Sequence, residues 1–340
     1  MRPNLFKFAT KELSQDAFLA WLIQWASPEY KSQDVLLWEC ATRFVKKLLS
    51  LSPQITPPPK ITSVKVERPW KRTKIDVGTE INGEYRVIIE DKTATADHSG
   101  QLQRYKDIAI AWCKENKFQS PAVCVYLKTG SQSAADLKKI EEQGFAVFAR
   151  KDLLSILSEP RVTNQIFVDF REYLQDMEDS ECQFATKPIK EWGDPQWKGF
   201  YQDLEKRRNG IKWNYVPNPS GGFWNAVLNW QNAKDCCPYM QIEQGPLCFK
   251  VGEIYEHHVL IRDHYHRSLM DHCAGENNIQ RPKRLGDGTY MTIAYVERAD
   301  WLGTDDSLVD MPKVVARLDH YENIYLEFIK KCRPWVPPAQ

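Results

Sequence analysis

The sequence lacks long apolar runs. Nowhere in its 340 residues is there a stretch near the ~18 consecutive apolar residues that a membrane-spanning helix needs, so no membrane partner is expected. The start, Met1-Arg2-Pro3-Asn4-Leu5-Phe6-Lys7, has no apolar core of the secretory-leader kind, and a cytoplasmic location is expected. No Cys-x-x-Cys occurs, which disfavours a four-cysteine zinc site. The nine cysteines are odd in number and irregularly spaced, as in a reducing compartment rather than a disulfide framework. An excess of either charge is also missing: 46 Lys and Arg face 45 Asp and Glu, for a net charge of +1. That excludes a globally basic nucleic-acid coat and an acidic solvating tail, and any electrostatic partner must be met by a local patch. There is no internal repeat and no low-complexity tract.

What is present has a globular texture, with 42% hydrophobic and 27% charged residues. At roughly 150 residues per domain the length suggests about two domains. An acidic stretch over 171–185 reads as a linker or an exposed helix end, and separates a domain at 1–175 from one at 186–340. The second is rich in Trp, Tyr, Pro and Gly and has short strands, as a smaller α+β accessory domain of unassigned role would.

In the first part, periodicity predicts a helix over 10–26, capped by Thr10, with Phe18, Trp21, Leu22 and Trp25 on its buried face. A second helix follows over 33–51. Strands are predicted at 61–66, 73–81 and 85–90, then a helix at 101–113, strands at 122–127 and 145–148, and a helix from 151 to 157. This order fits a mixed sheet flanked by helices, an α/β (α+β) arrangement.

The chemistry gathers on the proposed hairpin, at Asp76 in Lys74-Ile75-Asp76-Val77 and at Glu90 and Lys92 in Ile88-Ile89-Glu90-Asp91-Lys92. Two carboxylates at strand ends can hold a hard divalent cation through oxygen. Such an ion activates water and neutralises charge developing on a phosphate. Lys92, two residues after Glu90, points to the same face and can orient water or stabilise the transition state. Asp76 must share that face. A strict two-residue Asn82-Gly83 loop would put it on the opposite one, so an odd loop, with Gly83 in a bulge, is predicted.

D…E-x-K across a hairpin resembles the PD-(D/E)XK nuclease superfamily, over roughly residues 1–160. The residue before Asp76 is Ile75 rather than proline. The resemblance implies a restriction-endonuclease-like fold and a metal-dependent nuclease acting on phosphodiester bonds. DNA is the expected substrate, in a bacterial defence or mobile-element setting. It implies Mg²⁺, with Mn²⁺ an alternative, held by Asp76, Glu90 and the Asp91 carbonyl, with Glu12 of the first helix as a further metal-site carboxylate. Gln101-Leu102-Gln103-Arg104-Tyr105 looks like the Q-x-x-x-Y motif of some members, which places Gln101 and Tyr105 one turn apart beside the site. Cutting both strands would suit a homodimer. The alternative is a non-catalytic protein of the same fold that binds nucleic acid or a ligand.

Between Lys60 and Lys74 lies a basic stripe that includes Lys65, Arg68, Lys71 and Arg72, with Trp70 among them. It suits a phosphate backbone with a stacking ring, or a lysine-guarded sheet edge. Five histidines fall between His257 and His272, and a zinc site with His264 and His266 on one strand face stands against ordinary packing. Trp192, Trp197, Trp213, Trp224 and Trp230 read as the core of the second domain or as a flat surface for a ligand or protein partner. A helix over 307–332, broken near Pro312, closes the chain.

Overall fold

The structure, a computed structural model, describes residues 2–9, 11–68, 73–93, 100–118, 120–158, 161–218 and 221–337. The chain divides into two compact units, Met1–Ser131 with Asp136–Glu178, and Gln132–Ala135 with Asp179–Gln340.

The first unit begins with α1 (Glu12–Trp25) and α2 (Val35–Leu49). Lys11 stands at the N-cap of α1 without a side-chain cap, and Thr10 lies outside the described residues. Then come β1 (Val64–Glu67), β2 (Val77–Ile81), β3 (Tyr85–Lys92), α3 (Gln101–Glu115), β4 (Val123–Lys128), α4 (Ala134–Glu142), β5 (Ala146–Ala149), α5 (Arg150–Leu157) and α6 (Gln165–Cys182). The five strands form one sheet in the order β1-β2-β3-β4-β5. The β1-β2-β3 meander is antiparallel and the β3-β4-β5 half is parallel, each crossover there carrying a helix. One face packs on α1, α2 and α5 through Val77, Val87, Ile89 and Val125; the other packs on α3 through Ile88 and Tyr126. The two faces are set by strand alternation, so Glu90 shares the α3 face with Ile88, and Asp91 turns with Ile89 toward α1.

Two expectations are corrected and a third is narrowed. Regular pairing starts at Val77, not at Thr73, because Lys74 sits in the left-handed region (φ 68°) and breaks the ladder. Helix α4 has a single buried residue, Ile140, and its weak apolar stripe left it out of the periodicity. The acidic stretch, read as a linker or an exposed helix end, is the C-terminal half of an 18-residue helix, α6. Its carboxylates are paired, Asp176 with Lys7 and Glu178 with Arg150 and Lys151, so the acid run marks a docked helix face.

The second unit contains α7 (Asp194–Arg207), β6 (Lys212–Val216), β7 (Phe223–Leu228), β8 (Cys237–Ile242), β9 (Leu247–Gly252), α8 (His258–His272), β10 (Ile279–Gln280), β11 (Met291–Val296), α9 (Arg298–Trp301) and α10 (Met311–Lys331). Its six strands make an antiparallel sheet in the order β10-β11-β9-β8-β7-β6. Trp192, Trp197 and Trp213 are buried in its core and Trp224 packs against them, while Trp230 is half exposed and lies on the Tyr239 ring. Most of the tryptophan excess is therefore core. Pro312 does not break the last helix; it sits in the first turn of α10, where its missing N–H is harmless, behind the Asp310 cap. His264 and His266 lie on a helix, not a strand. The former bonds the Arg333 carbonyl and the latter the Ile293 carbonyl. Among the described residues no group of three or more His, Cys, Asp or Glu is placed to hold a metal. Likewise, no helix there is long and apolar enough to cross a membrane.

Candidate active site

The β2-β3 loop has three residues, Asn82, Gly83 and Glu84, as the odd loop requires. Ile81 pairs with Tyr85, and the register runs through Glu80↔Arg86 and Gly78↔Ile88 to Val77↔Ile89. Asn82 and Gly83 both have positive φ (57° and 68°), which Asn and Gly tolerate. The Asn82 side chain fixes the loop by accepting from the Thr62 and Ser63 amides and donating to the Lys60 carbonyl. The regular pairing ends at Val77↔Ile89, and Asp76 lies in the bend just before β2, within reach of the end of β3.

There the proposed residues converge. Lys92 Nζ lies 2.6 Å from Glu90 Oε1 and 3.9 Å from Asp76 Oδ2. Asp76 Oδ2 also accepts from the Asp91 amide at 2.9 Å. Gln101, the first residue of α3, donates from Nε2 to Glu90 Oε1 at 2.7 Å and to the Tyr105 hydroxyl at 3.0 Å. Tyr105 donates in turn to the Lys74 carbonyl at 3.1 Å. Positions i and i+4 of one helix thus brace both arms of the hairpin at its open end. Glu12 accepts from the Thr93 amide at 2.8 Å, which brings the first turn of α1 to the end of β3.

The electrostatics are those of carboxylates crowded out of water. Burial, then the Asp76 charge, pushes Glu90 up to about 8, with Lys92 pulling the other way. Burial also raises Asp76, opposed by the Asp91 amide and Lys92. For Lys92, burial works against the charge, but Glu90, Asp76 and Glu12 outweigh it and hold the ammonium. Glu90 Oε2 is buried with no hydrogen-bond partner. An orphan oxygen beside a second carboxylate is a hard-donor set of the kind Mg²⁺ takes, since that ion uses one or two protein carboxylates and completes its shell with water and phosphate.

Asp91 occupies a different environment. Its side chain points to α1, where Gln15 Nε2 donates to Oδ1, so only its carbonyl reaches the site side, accepting from Lys92 Nζ at 3.2 Å. Asp16, on the turn after Glu12, is buried and pairs with Arg68 at 3.7 Å. Burial, then the Asp76 charge, raises Asp16 to about 6; burial, then Asp16, raises Asp91 above its ordinary value. Asp16 Oδ1 and Asp91 Oδ2 are buried without hydrogen-bond partners, and a proton held between the two carboxyls would satisfy both. Asparagine is the isostere of a protonated aspartate that accepts from Gln15 and donates to Asp16. Asp91→Asn should therefore melt within about 0.5 kcal/mol of wild type, whereas Asp91→Ala should lose about 1–3 kcal/mol. Equal losses for the two in thermal melts would show that Asp91 is ionised.

Asp16 and Gln15 escaped the sequence reading, although the signal was there. They follow Glu12 at i+4 and i+3, on the apolar face that continues through Leu19 and Leu22. Polar residues on a buried stripe call for a partner. Of the basic stripe, Arg68 donates to the Leu13 carbonyl and pairs with Asp16 while remaining exposed. Lys65 is exposed on the edge strand β1, 3.8 Å from Glu67, and Lys74 is exposed next to the site. Trp70, Lys71 and Arg72 lie outside the described residues.

A family model described as the PD-(D/E)XK nuclease superfamily matches residues 3–208, past the sequence expectation of 160 and through α6 and α7. No curated protein and no solved structure matches the chain.

Proposed function

Because the chain belongs to the PD-(D/E)XK nuclease superfamily, we propose that it is a divalent-metal-dependent nuclease that hydrolyses phosphodiester bonds, with DNA as its substrate. The observation that carries this is the convergence of Asp76, Glu90 and Lys92 on one sheet face, with Glu90 buried and one of its oxygens unpartnered. Asp76, Glu90 and the Asp91 carbonyl would hold the ion, with Glu12 adding negative charge from α1. Bound there, Mg²⁺ or Mn²⁺ supplies Lewis acidity to the phosphate and lowers the pKa of water. The rest is the chain's own work. Gln101 holds Glu90 Oε1 and, through Tyr105, fixes the backbone before Asp76. Lys92 keeps its charge and presents a donor for the attacking water or the developing phosphorane charge. Lys65, Arg68 and Lys74, with Trp70, Lys71 and Arg72, serve as the phosphate and stacking contacts.

The test is cleavage of plasmid, single-stranded DNA and RNA with Mg²⁺ or Mn²⁺. Wild type should cut at least one of them, with Asp76→Asn and Lys92→Met slower by about 100-fold or more. Equal background cutting by all three proteins would remove the enzyme and leave a nucleic-acid-binding protein, recognised by a steep salt dependence of affinity.

A further inference from the structure

Gln15 occupies a position that no metal ligand or base explains. It is 4% exposed, and both ends of its amide are used. Nε2 donates to Asp91 Oδ1, and Oε1 accepts from the Thr129 hydroxyl at 2.9 Å. Thr129, fully buried just past β4, donates its amide to the Lys92 carbonyl at 3.1 Å. Its own carbonyl accepts from Arg150 at 2.8 Å, and Glu178 holds Arg150 at 2.9 Å. One side chain thus ties three elements together: α1, which carries Glu12; the end of β3, which carries Glu90 and Lys92; and the end of β4.

We propose that Gln15, acting with Thr129, is a positioning residue of the active site, which fixes the end of β3 against α1 so that Lys92 and Glu12 stay in place. This rests on the nuclease reading above. The chemistry requires an amide. A carboxylate at position 15 would face Asp91, and an aliphatic residue would leave Asp91 Oδ1 without the Gln15 donor and the buried Thr129 hydroxyl to the Thr93 hydroxyl at 3.3 Å. Gln15 touches neither substrate nor the reacting atoms. Its loss should therefore slow the chemical step and leave nucleic-acid affinity alone, because the basic residues outside the site are untouched.

The experiment compares wild type, Gln15→Ala, Gln15→Glu, Thr129→Val and Thr129→Ser, all well below their melting temperatures. Readouts are single-turnover cleavage at saturating DNA, DNA affinity by anisotropy without metal, and the rise in melting temperature produced by Mn²⁺ alone. Outer groups that orient a metal site are worth about 10–100-fold. The expected result is a loss of that size in cleavage for Gln15→Ala, Gln15→Glu and Thr129→Val, with affinity within about twofold. The Mn²⁺ response should shrink, and Thr129→Ser, which keeps the hydroxyl, should stay within about twofold of wild type throughout. Undiminished cleavage and Mn²⁺ response in Gln15→Ala, or affinity falling in step with rate, would overturn the proposal. A wild-type chain that responds to Mn²⁺ but cuts nothing would remove the nuclease reading alone. The Mn²⁺ comparison would then still decide whether Gln15 positions the site.

Discussion

Gly130→Ala should slow cleavage by about 100-fold and lower the melting temperature. A Cβ at Gly130 would press into the Thr93 carbonyl, its carbon only 2.9 Å away, and the obstacle is backbone rather than a side chain that can swing aside. Thr93 follows directly on Lys92. Its amide donates to Glu12 and its carbonyl accepts from Lys128 Nζ at 3.0 Å. The methyl group can be housed only if the ends of β3 and β4 separate, which pulls Lys92 from the carboxylates and frees Glu12. Overpacking of this kind costs about 1–3 kcal/mol, several degrees for a domain of this size. A displacement of about 1 Å at the reacting groups is worth roughly 100-fold in rate. Single-turnover cleavage and thermal melts read both effects, and Gly275→Ala, where the added carbon meets open space, is the control. A Gly130→Ala protein that cuts at the wild-type rate would mean that the strand ends can part without disturbing Lys92.

The site was legible where its chemistry follows chain order, and illegible where it depends on packing. Asp76, Glu90 and Lys92 could be placed because strand alternation and loop parity decide which residues share a face, and the three-residue loop agrees with that reasoning. Gln101 and Tyr105 were visible as a helical i, i+4 pair. Gln15, Thr129, Arg150 and Gly130 form a second ring whose members are far apart in sequence. No spacing rule brings a glycine after β4 onto the carbonyl of Thr93. Charge was the least reliable guide. Arg68, read as a phosphate contact, is also held by Asp16 and a carbonyl, and the acids of α6, read as a linker or an exposed helix end, meet basic side chains within the fold. In a sequence of balanced charge, a local run of one sign is as ready to meet its complement within the fold as outside it. In the second unit the histidine cluster read more readily as packing than as a zinc site, and the hydrogen bonds of His264 and His266 to separate carbonyls agree with packing.

Glu90→Gln should remove cleavage and at the same time stabilise the metal-free protein at alkaline pH. Glu90 is 1% exposed and raised to about 8, through burial first and the Asp76 charge second. A carboxyl whose pKa is higher folded than unfolded binds more protons in the folded state. Its favourable contribution is complete below the unfolded value of about 4.5 and drains away as pH rises through about 8. Asp76, Asp91 and Asp16 are raised in the same direction, so wild-type stability in a chelator should fall steadily from pH 5 to 9. Glutamine at 90 keeps the acceptor for Lys92 and Gln101, offers an N–H toward Asp76, and cannot ionise. A tenfold difference in proton affinity between folded and unfolded chain is worth about 1.4 kcal/mol. At pH 8.5 Glu90→Gln should therefore be more stable than wild type by on the order of 2 kcal/mol, with the two converging near pH 5. A divalent cation competes with the same proton. Mn²⁺ should restore wild-type stability at high pH, release protons as it binds below pH 8, and do neither for Glu90→Gln. Parallel pH–stability curves for the two metal-free proteins would show that Glu90 is already ionised at neutral pH, and that Lys92 alone neutralises it. The proton that steadies the empty site and the cation that activates it would then not be exchanging places at Glu90, and metal affinity would be nearly flat with pH.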